Sequence, residues 1–148
     1  MKNSDAMSLT AALLSATGSL VQDIHTGVVA HGYDDLRPTH GFVFSRIAPA
    51  GATVTEIAAH LGVTRQAASQ LVDELETKGY VERRPHPDDA RARLVLLTDR
   101  GRRCTRAAEA SAAEAVRPWV EMVGERRLLA LRDELVKLAP GSPVRPSW

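Results

Sequence analysis

The stretch that decides the fold runs from Thr53 to Gly101 and reads TVTEIAAHLGVTRQAASQLVDELETKGYVERRPHPDDARARLVLLTDRG. Its order is helix, short turn, second helix and then an arginine-rich hairpin. Thr53 and Glu56 have the spacing of a capping box, in which each side chain satisfies a backbone donor at a helix start. A helix is therefore predicted from Val54 onward, with Gly62 as its C-terminal stop.

A second helix is predicted after the turn, with Thr64 as its N-cap. One face carries an apolar stripe at helical spacing that would pack on the first helix. The stripe comprises Ala68, Leu71, Val72 and Leu75. The other face is polar and comprises Arg65, Gln66, Ser69, Gln70 and Asp73. Arginine suits guanine and glutamine suits adenine when a helix lies in the DNA major groove, but any amphipathic helix also presents polar residues to water.

The segment after Gly79 predicts a two-stranded wing. Residues 80–83 and 92–97 have strand character, and the residues between them contain two prolines and two aspartates, which favour a turn. Residues 83–106 hold eight arginines and three aspartates, a local charge of +5 against +1 for the whole chain. A run of like charges usually marks only a solvent-exposed surface. Here the run adjoins a candidate recognition helix, so it favours a surface that contacts phosphates.

The segment resembles the DNA-binding domain of the MarR (multiple antibiotic resistance regulator) family, whose members are typically dimeric, ligand-responsive bacterial transcription regulators. The resemblance is carried by 54–101 and by LRPTHGFVFSRI, residues 36–47, which resembles the family's second helix. It implies a mainly α fold with a small β-wing, that is, a winged helix-turn-helix with N- and C-terminal dimerisation helices.

The resemblance also assigns DNA contacts. Asp89 and Arg91 match the family's aspartate-x-arginine wing motif, in which the carboxylate is thought to hold the arginine toward the minor groove or phosphate. His86 replaces a frequent aspartate and Ala90 a frequent basic residue, so wing contact rests mainly on Arg91. The predicted DNA-contacting residues are Thr64, Arg65, Gln66, Ser69, Gln70, Arg84, Asp89, Arg91 and Arg93.

At 148 residues the chain is expected to be one domain. The predicted parts are a DNA-binding lobe at 36–101, dimerisation helices at 8–31 and 102–139, and an ill-ordered tail at 140–148, with Trp148 exposed or against a partner. The single cysteine excludes an intrachain disulfide and suits a reducing cytoplasm. The N-terminus is interpreted as an amphipathic helix rather than a secretory signal, and no apolar run approaches the roughly 18 residues of a membrane span.

Three sequence features bear on the helices outside the helix-turn-helix. Gly41 weakens the helix that starts at Pro38, and it marks a close contact or a ligand approach. Pro118 is predicted to kink or end the long helix that Thr98 caps. The leucines of the final helix, 125–138, repeat at three- and four-residue steps and favour pairing with a second chain, with packing inside the same subunit as the alternative.

A cleft between the dimer helices and the DNA lobe is the candidate site for a small aromatic or anionic effector, because members of the resembled family often bind such molecules there. Ordinary core packing explains the same residues equally well. The candidate lining residues are His25, His31, Tyr33, His40, Phe44 and Trp119, with Phe42 beside them.

No metal-ligand spacing and no catalytic motif is present, so neither an enzyme nor a metal or cofactor site is predicted. The predicted function is a cytoplasmic, dimeric transcription regulator on a pseudo-palindromic operator, a repressor by family habit, released by a small ligand. The alternatives are a winged-helix module for protein interactions and a redox sensor using Cys104, whose thiolate Arg102, Arg103 and Arg106 would favour. Redox-sensing relatives generally place their cysteine near the first helix.

Overall fold

The computed structural model describes residues 1–141, so the predictions for 142–148, Trp148 included, lie outside the described residues. This part of the chain forms six helices and one two-stranded antiparallel sheet. In chain order they are α1 (Asn3–Ala30), α2 (Pro38–Ile47), α3 (Val54–Leu61), α4 (Arg65–Thr77), β1 (Val81–Pro85), β2 (Arg93–Leu97), α5 (Asp99–Val123) and α6 (Glu125–Leu138). The mainly helical winged helix-turn-helix predicted from the sequence is confirmed.

The helix-turn-helix forms where its capping residues predict. Thr53 N–H donates to Glu56 Oε2 at 2.8 Å, and Glu56 N–H donates to Thr53 Oγ1 at 3.2 Å, which completes the capping box at the start of α3. Gly62 ends α3 with φ 61°, a left-handed conformation that favours glycine. Thr64 Oγ1 then accepts Ala67 N–H at 3.1 Å and starts α4.

The core lies where α2, α3, α4 and the base of the wing meet. Three of the four predicted α4 positions are buried in it and Leu71 packs at its margin. Its largest fully buried side chains include Ile47, Ile57, Leu61, Leu75, Tyr80 and Val95. Burial of such side chains is the main stabilising term for the lobe, at roughly 1.5–3 kcal/mol each.

Tyr80 occupies the junction between α4 and the wing. It was predicted as the first strand residue, but the strand begins at Val81 and the Tyr80 side chain is fully buried. Its hydroxyl donates to Asp35 Oδ1 at 2.6 Å, and the Arg100 guanidinium lies 4.4 Å from the ring centroid. A Cβ at Gly101 would lie 2.2 Å from the Tyr80 carbonyl oxygen, so this close approach requires glycine.

The wing pairs Val81 with Leu97 at its base and Pro85 with Arg93 near its tip. An additional pairing, which the sequence did not predict, joins the wing to the segment before α3. Ala52 N–H donates to Val95 O at 3.1 Å and Val95 N–H donates to Ala52 O at 2.8 Å. These two bonds fix the wing base to the helix-turn-helix.

The predicted start of α1 is wrong, and of the two outcomes predicted for Pro118, a kink or a helix end, the end is not observed. Helix α1 begins at Asn3 rather than at residue 8, and Asp5 in its first turn complements the positive end of the helix dipole. Pro118 does not end α5, which continues to Val123 and stops at Gly124 with φ 91°. A proline frees only one carbonyl of the preceding turn, and that of Glu114 belongs to an exposed residue, where water can solvate it.

The long helices α1 and α5 pack closely at Gly27, where a Cβ would lie 2.3 Å from Ser111 Oγ. Helix α6, by contrast, buries none of its residues within its own chain. Leu131 is 49% exposed and Leu138 is 78% exposed. No leucine of α6 is fully buried within the subunit, and Leu128 alone of them is half-buried. None of the helices within residues 1–141 combines the length and apolar character that crossing a bilayer requires.

Candidate nucleic-acid interface and an adjoining cavity

The outer face of α4 presents the predicted base-reading side chains. Arg65, Gln66 and Gln70 are exposed, and Ser69 is half-buried beside them. Thr64 is exposed as well, although its hydroxyl oxygen is already engaged as the N-cap. The side chains of α4 that can donate and accept hydrogen bonds thus lie together near the N-terminal end of the helix, the end that recognition helices direct at base edges.

The acidic residues farther along α4 are paired with the wing. Arg83 Nη2 lies 2.6 Å from Asp73 Oδ1, and the same guanidinium pairs with Glu76. Arg83 is therefore neutralised at the base of the wing and is not available to phosphate. The pairing also screens two carboxylates that would otherwise repel DNA.

The tip of the wing carries two arginines that have no acidic partner among the described residues. Arg91 and Arg93 are exposed, and neither guanidinium has a carboxylate within ion-pair distance in the described part of the chain. Arg84, the third predicted wing arginine, lies 2.8 Å from Glu82 Oε1 and is partly neutralised. Arg91 and Arg93 are consequently the wing cations that are free to meet phosphate.

Asp89 shapes the wing turn instead of holding the Arg91 side chain. Its Oδ1 accepts the backbone N–H of Arg91 at 2.9 Å, and its carbonyl oxygen accepts Ala92 N–H at 3.1 Å. His86 supports the same turn, because its Nδ1 accepts Asp88 N–H at 3.1 Å. The carboxylate-to-guanidinium contact expected from the family motif is not formed; an aspartate side chain that bonds the backbone two residues ahead is a common turn device.

A cavity of about 220 Å³ lies behind this surface, between α1, α2 and α5. Its wall is almost entirely apolar. It is lined by Val21, Ile24, His25, Val28, Leu36, Arg37, Pro38, Gly41, Phe42, Phe44, Ser45, Cys104 and Ala108. Gly41 borders open space, since a Cβ there would meet no atom within 4 Å.

The structure brings only two of the six predicted effector residues, His25 and Phe44, to this cavity, together with Phe42. The other four lie elsewhere. His31 borders a separate cleft between α1 and α5. Tyr33 packs on Tyr80 with ring centroids 6.1 Å apart, His40 is fully buried, and Trp119 lies near the end of α5 outside the lining of either space.

Cys104 lines the cavity, and the expectation of a stabilised thiolate is wrong. The side chain is 1% exposed, and burial raises the pKa of the thiol to about 11, with a smaller contribution from Asp35. Arg102 instead pairs with Asp99, and Arg103 and Arg106 lie on the exposed side of α5. The sequence could not reveal this, because neighbours along a helix point in different directions.

A network that the sequence did not predict links the cavity wall to α4. His40 Nδ1 accepts the backbone N–H of Arg37 at 3.0 Å, so its Nε2–H donates to Glu74 Oε2, also at 3.0 Å. The Arg37 guanidinium pairs with that same oxygen. Arg37, followed by His40, holds the pKa of the Glu74 carboxyl below its usual range, and burial lowers the pKa of His40.

No group of three or more His, Cys, Asp or Glu side chains within residues 1–141 is arranged to hold a metal ion. The candidate site therefore consists of a polar helix face and a cationic wing tip, together with an apolar cavity whose lining residue Arg37 pairs with Glu74 of α4. Such a set can bind a polyanion on the outside and a small apolar molecule within.

A family model, a protein relative and several solved structures are similar to this chain. A family model described as MarR family matches residues 34–92. An uncharacterised protein of Mycobacterium tuberculosis is 31% identical over 96 residues, which cover 65% of this chain and 67% of the relative. A MarR-family transcriptional regulator from a Rhodococcus species superposes with a TM-score of 0.75 at 25% identity, covering 97% of this chain and 99% of that one.

Two solved structures of CouR are also similar. CouR from Rhodococcus jostii bound to p-coumaroyl-CoA gives a TM-score of 0.72 at 27% identity and covers 90% of this chain and 91% of that chain. A structure of CouR, described as a transcriptional repressor bound to a 23-mer DNA duplex, gives a TM-score of 0.72 at 29% identity. It covers 94% of this chain and 98% of that chain.

Proposed function

Because the chain belongs to the MarR family of DNA-binding transcription regulators, which are not enzymes, we propose that it is a dimeric repressor released from its operator by a small ligand. In this proposal the two copies place α4 in successive major grooves and the wings in the neighbouring minor grooves. Two-fold symmetry then requires a pseudo-palindromic site with half-sites roughly 34–36 Å apart.

The observation that carries the proposal is the position of Arg91 and Arg93. They are exposed and without an acidic partner among the described residues, and the wing that carries them follows directly on α4. Free arginines beside a polar helix face suit a duplex, because phosphates bind cations while base edges bind amide and guanidinium groups. A protein-interaction module would not need this concentration of unpaired charge.

The apolar residues at the chain's two ends support a second copy as partner. Helix α6 has no fully buried residue within its chain, and α1 exposes Met7 and Leu14 at 71% and 64%. Exposed apolar faces of this extent commonly mark interaction surfaces. A dimer joined through these helices would leave both wings and both α4 helices available to one duplex.

The cavity supports release by a small molecule. It lies between α2 of the DNA-binding lobe and the long helices α1 and α5. CouR, a similar protein, has been solved both with a DNA duplex and with p-coumaroyl-CoA. A ligand that fits the cavity better in one arrangement of these helices shifts the protein toward that arrangement. We place the protein in the cytoplasm, where its operator would be.

Selection of bound sequences from random duplex DNA tests the proposal. We expect a recovered pseudo-palindrome, a steep loss of affinity with salt, and a dimer in analytical ultracentrifugation. A Leu131→Glu variant, which places a charge on the exposed α6 stripe, should dissociate to monomers and bind the recovered site more weakly. Failure to enrich any sequence, or a wild-type monomer, would contradict the proposal.

A further inference from the structure

We propose that Arg83 is a positioning residue for DNA binding, which contacts no DNA itself and fixes the angle between α4 and the wing. This role rests on the proposed function, because α4 can read base edges while Arg91 and Arg93 meet phosphates of the same duplex only at a suitable angle. The observation behind it is a clamp between the two elements: Arg83 of β1 pairs with Asp73 and Glu76 of α4.

The Arg83 clamp consists of three contacts made by one residue. Arg83 Nη2 lies 2.6 Å from Asp73 Oδ1, and Arg83 Nη1 pairs with Glu76 Oε2. The backbone N–H of Arg83 also donates to Glu76 Oε1 at 3.3 Å. At 19% its side chain is the least exposed among the arginines that form ion pairs within residues 1–141. A planar guanidinium that spans two carboxylates is held in one orientation, which a single exposed pair does not achieve.

The clamp engages the wing at the rung where the other strand is held as well. Arg83 of β1 is the register partner of Val95 of β2. Val95 in turn exchanges two backbone hydrogen bonds with Ala52, just before α3. The rest of the hairpin, with the two unpaired arginines, lies beyond this rung. Because a two-stranded ribbon has little stability of its own, the direction of the wing tip depends on this doubly held rung.

Positioning and simple electrostatics make opposite predictions for the carboxylates of the clamp. Asp73 follows Gln70 by three residues, so it adjoins the base-reading face of α4. Acidic side chains there repel phosphates, and their removal would also free the Arg83 guanidinium as a new cation. On charge alone, a chain without Asp73 and Glu76 binds DNA more tightly. If Arg83 positions the wing, that chain binds DNA more weakly.

The test measures binding to the selected duplex by fluorescence anisotropy at several salt concentrations. We expect Asp73→Ala/Glu76→Ala and Arg83→Met each to weaken binding about tenfold and to lower the slope of log affinity against log salt by about one. Alanine favours helix, and the two carboxylates are 63% and 42% exposed, so α4 should keep its fold. Glu82→Gln is the matched control, because Glu82 pairs with Arg84 inside β1. It should leave the affinity unchanged or raise it by up to about fivefold.

A double-mutant comparison separates positioning from a general loss of structure. In the background of Arg91→Ala and Arg93→Ala, the wing has lost its unpaired cations. There Arg83→Met should weaken DNA binding by less than about twofold, because no wing contact is left to misplace. A substitution that merely disrupts α4 would cost the same affinity in both backgrounds.

The angle of the wing can also be measured without DNA. Spin labels at Ala59→Cys on α3 and Ala90→Cys at the wing tip replace two exposed side chains, whereas Cys104 is buried and takes up no label in the native protein. Labelled chains are diluted in excess unlabelled chain, so that distances between subunits do not contribute. We expect a narrow distribution of label distances, which Arg83→Met broadens.

Three results would overturn the inference: DNA binding by Asp73→Ala/Glu76→Ala as tight as that of the wild type or tighter, an equal cost of Arg83→Met with and without the wing arginines, or a distance distribution that Arg83→Met leaves narrow. A wild-type chain that enriches no duplex would contradict the proposed function, and the role of Arg83 in DNA binding with it. A chain that binds its duplex equally well with and without Arg83 would overturn the inference alone.

Discussion

His40 Nε2 lies 3.0 Å from Glu74 Oε2, and this contact ties the buried side of α2 to the candidate recognition helix α4. Its geometry requires a neutral imidazole, because Nδ1 already accepts the backbone N–H of Arg37. A proton on Nδ1 would point at the backbone N–H of Arg37, so two donors would face each other at the start of α2. The helix-turn-helix thus depends on the protonation state of one histidine.

The first prediction concerns stability against pH. Burial lowers the pKa of His40 from its ordinary 6.5, so the unfolded chain binds this proton more readily than the folded chain. Stability is therefore complete above about pH 6.5 and falls as the pH is lowered through that value. As the pH is lowered below 6.5 we expect the free energy of unfolding, measured with urea, to fall in the wild type, and we expect His40→Gln to reduce that fall. His31→Gln, which removes an exposed histidine, should keep the wild-type dependence; an unchanged slope in His40→Gln would contradict the prediction.

A second prediction concerns the crossing of α1 and α5. Gly27→Ala would place a Cβ 2.3 Å from Ser111 Oγ and should destabilise the protein by about 1–3 kcal/mol through overpacking. Gly18→Ala is the control on the same helix, since its Cβ would meet nothing within 4 Å. The free energy of unfolding of that variant should rise by up to about 1 kcal/mol, because alanine has a higher helix propensity than glycine. Urea denaturation of both variants measures the difference, and equal stabilities would show that the close crossing is not required.

A third prediction is that Cys104 is inert in the folded protein. Its pKa, raised from 9.0 to about 11, leaves about a hundredfold less thiolate at neutral pH, and its burial blocks access. Alkylation by iodoacetamide, followed by mass spectrometry, should therefore be far slower in the folded chain than in urea. Peroxide should leave DNA affinity unchanged. Rapid alkylation of the native protein would restore a redox role to consideration.

A fourth prediction separates two wing arginines. Arg91→Ala should weaken binding to all duplexes by a similar factor and lower the slope of log affinity against log salt by about one. Arg84→Ala should have a smaller effect, because Glu82 already pairs with Arg84 at 2.8 Å. Fluorescence anisotropy at several salt concentrations gives both slopes. If Arg84→Ala loses as much affinity as Arg91→Ala or more, the wing contacts DNA differently from the proposal.

A fifth prediction concerns sequence preference. Gln70 is exposed on α4, where an amide can bond an adenine edge in the major groove. Gln70→Ala should change the preference at one base pair of each half-site at a cost of roughly 1–3 kcal/mol. Repeating the DNA selection with this variant reads the change directly. A recovered site identical to that of the wild type would remove Gln70 from the base-reading set.

Features set by local chemistry were predicted well from the sequence. Thr53 with Glu56, Gly62, and Thr64 each specify a helix end through bonds to residues at most three or four positions away. Such bonds form in the same way in many contexts, which is why the predicted ends of the helices in the helix-turn-helix were confirmed.

Features set by packing were not predictable. Arg37 and Glu74 are 37 positions apart, and only the meeting of α2 and α4 makes them partners. The number of arginines in 83–106 was read correctly, but which of them remain unpaired depends on carboxylates brought in from α4 and β1. The burial of Cys104 and the position of four of the six predicted effector residues outside the cavity likewise follow from tertiary packing, which spacing along the chain does not specify.

The paired hydrogen bonds between Ala52 and Val95 make residues 52–97 a natural unit of exchange. They connect the chain just before α3 to β2, the returning strand of the wing, so both ends of this segment are held together. A chimera that transplants 52–97 whole between homologous regulators should carry its operator preference into the host. A junction placed between α4 and the wing would instead combine a reading helix and a hairpin that were selected for different sites.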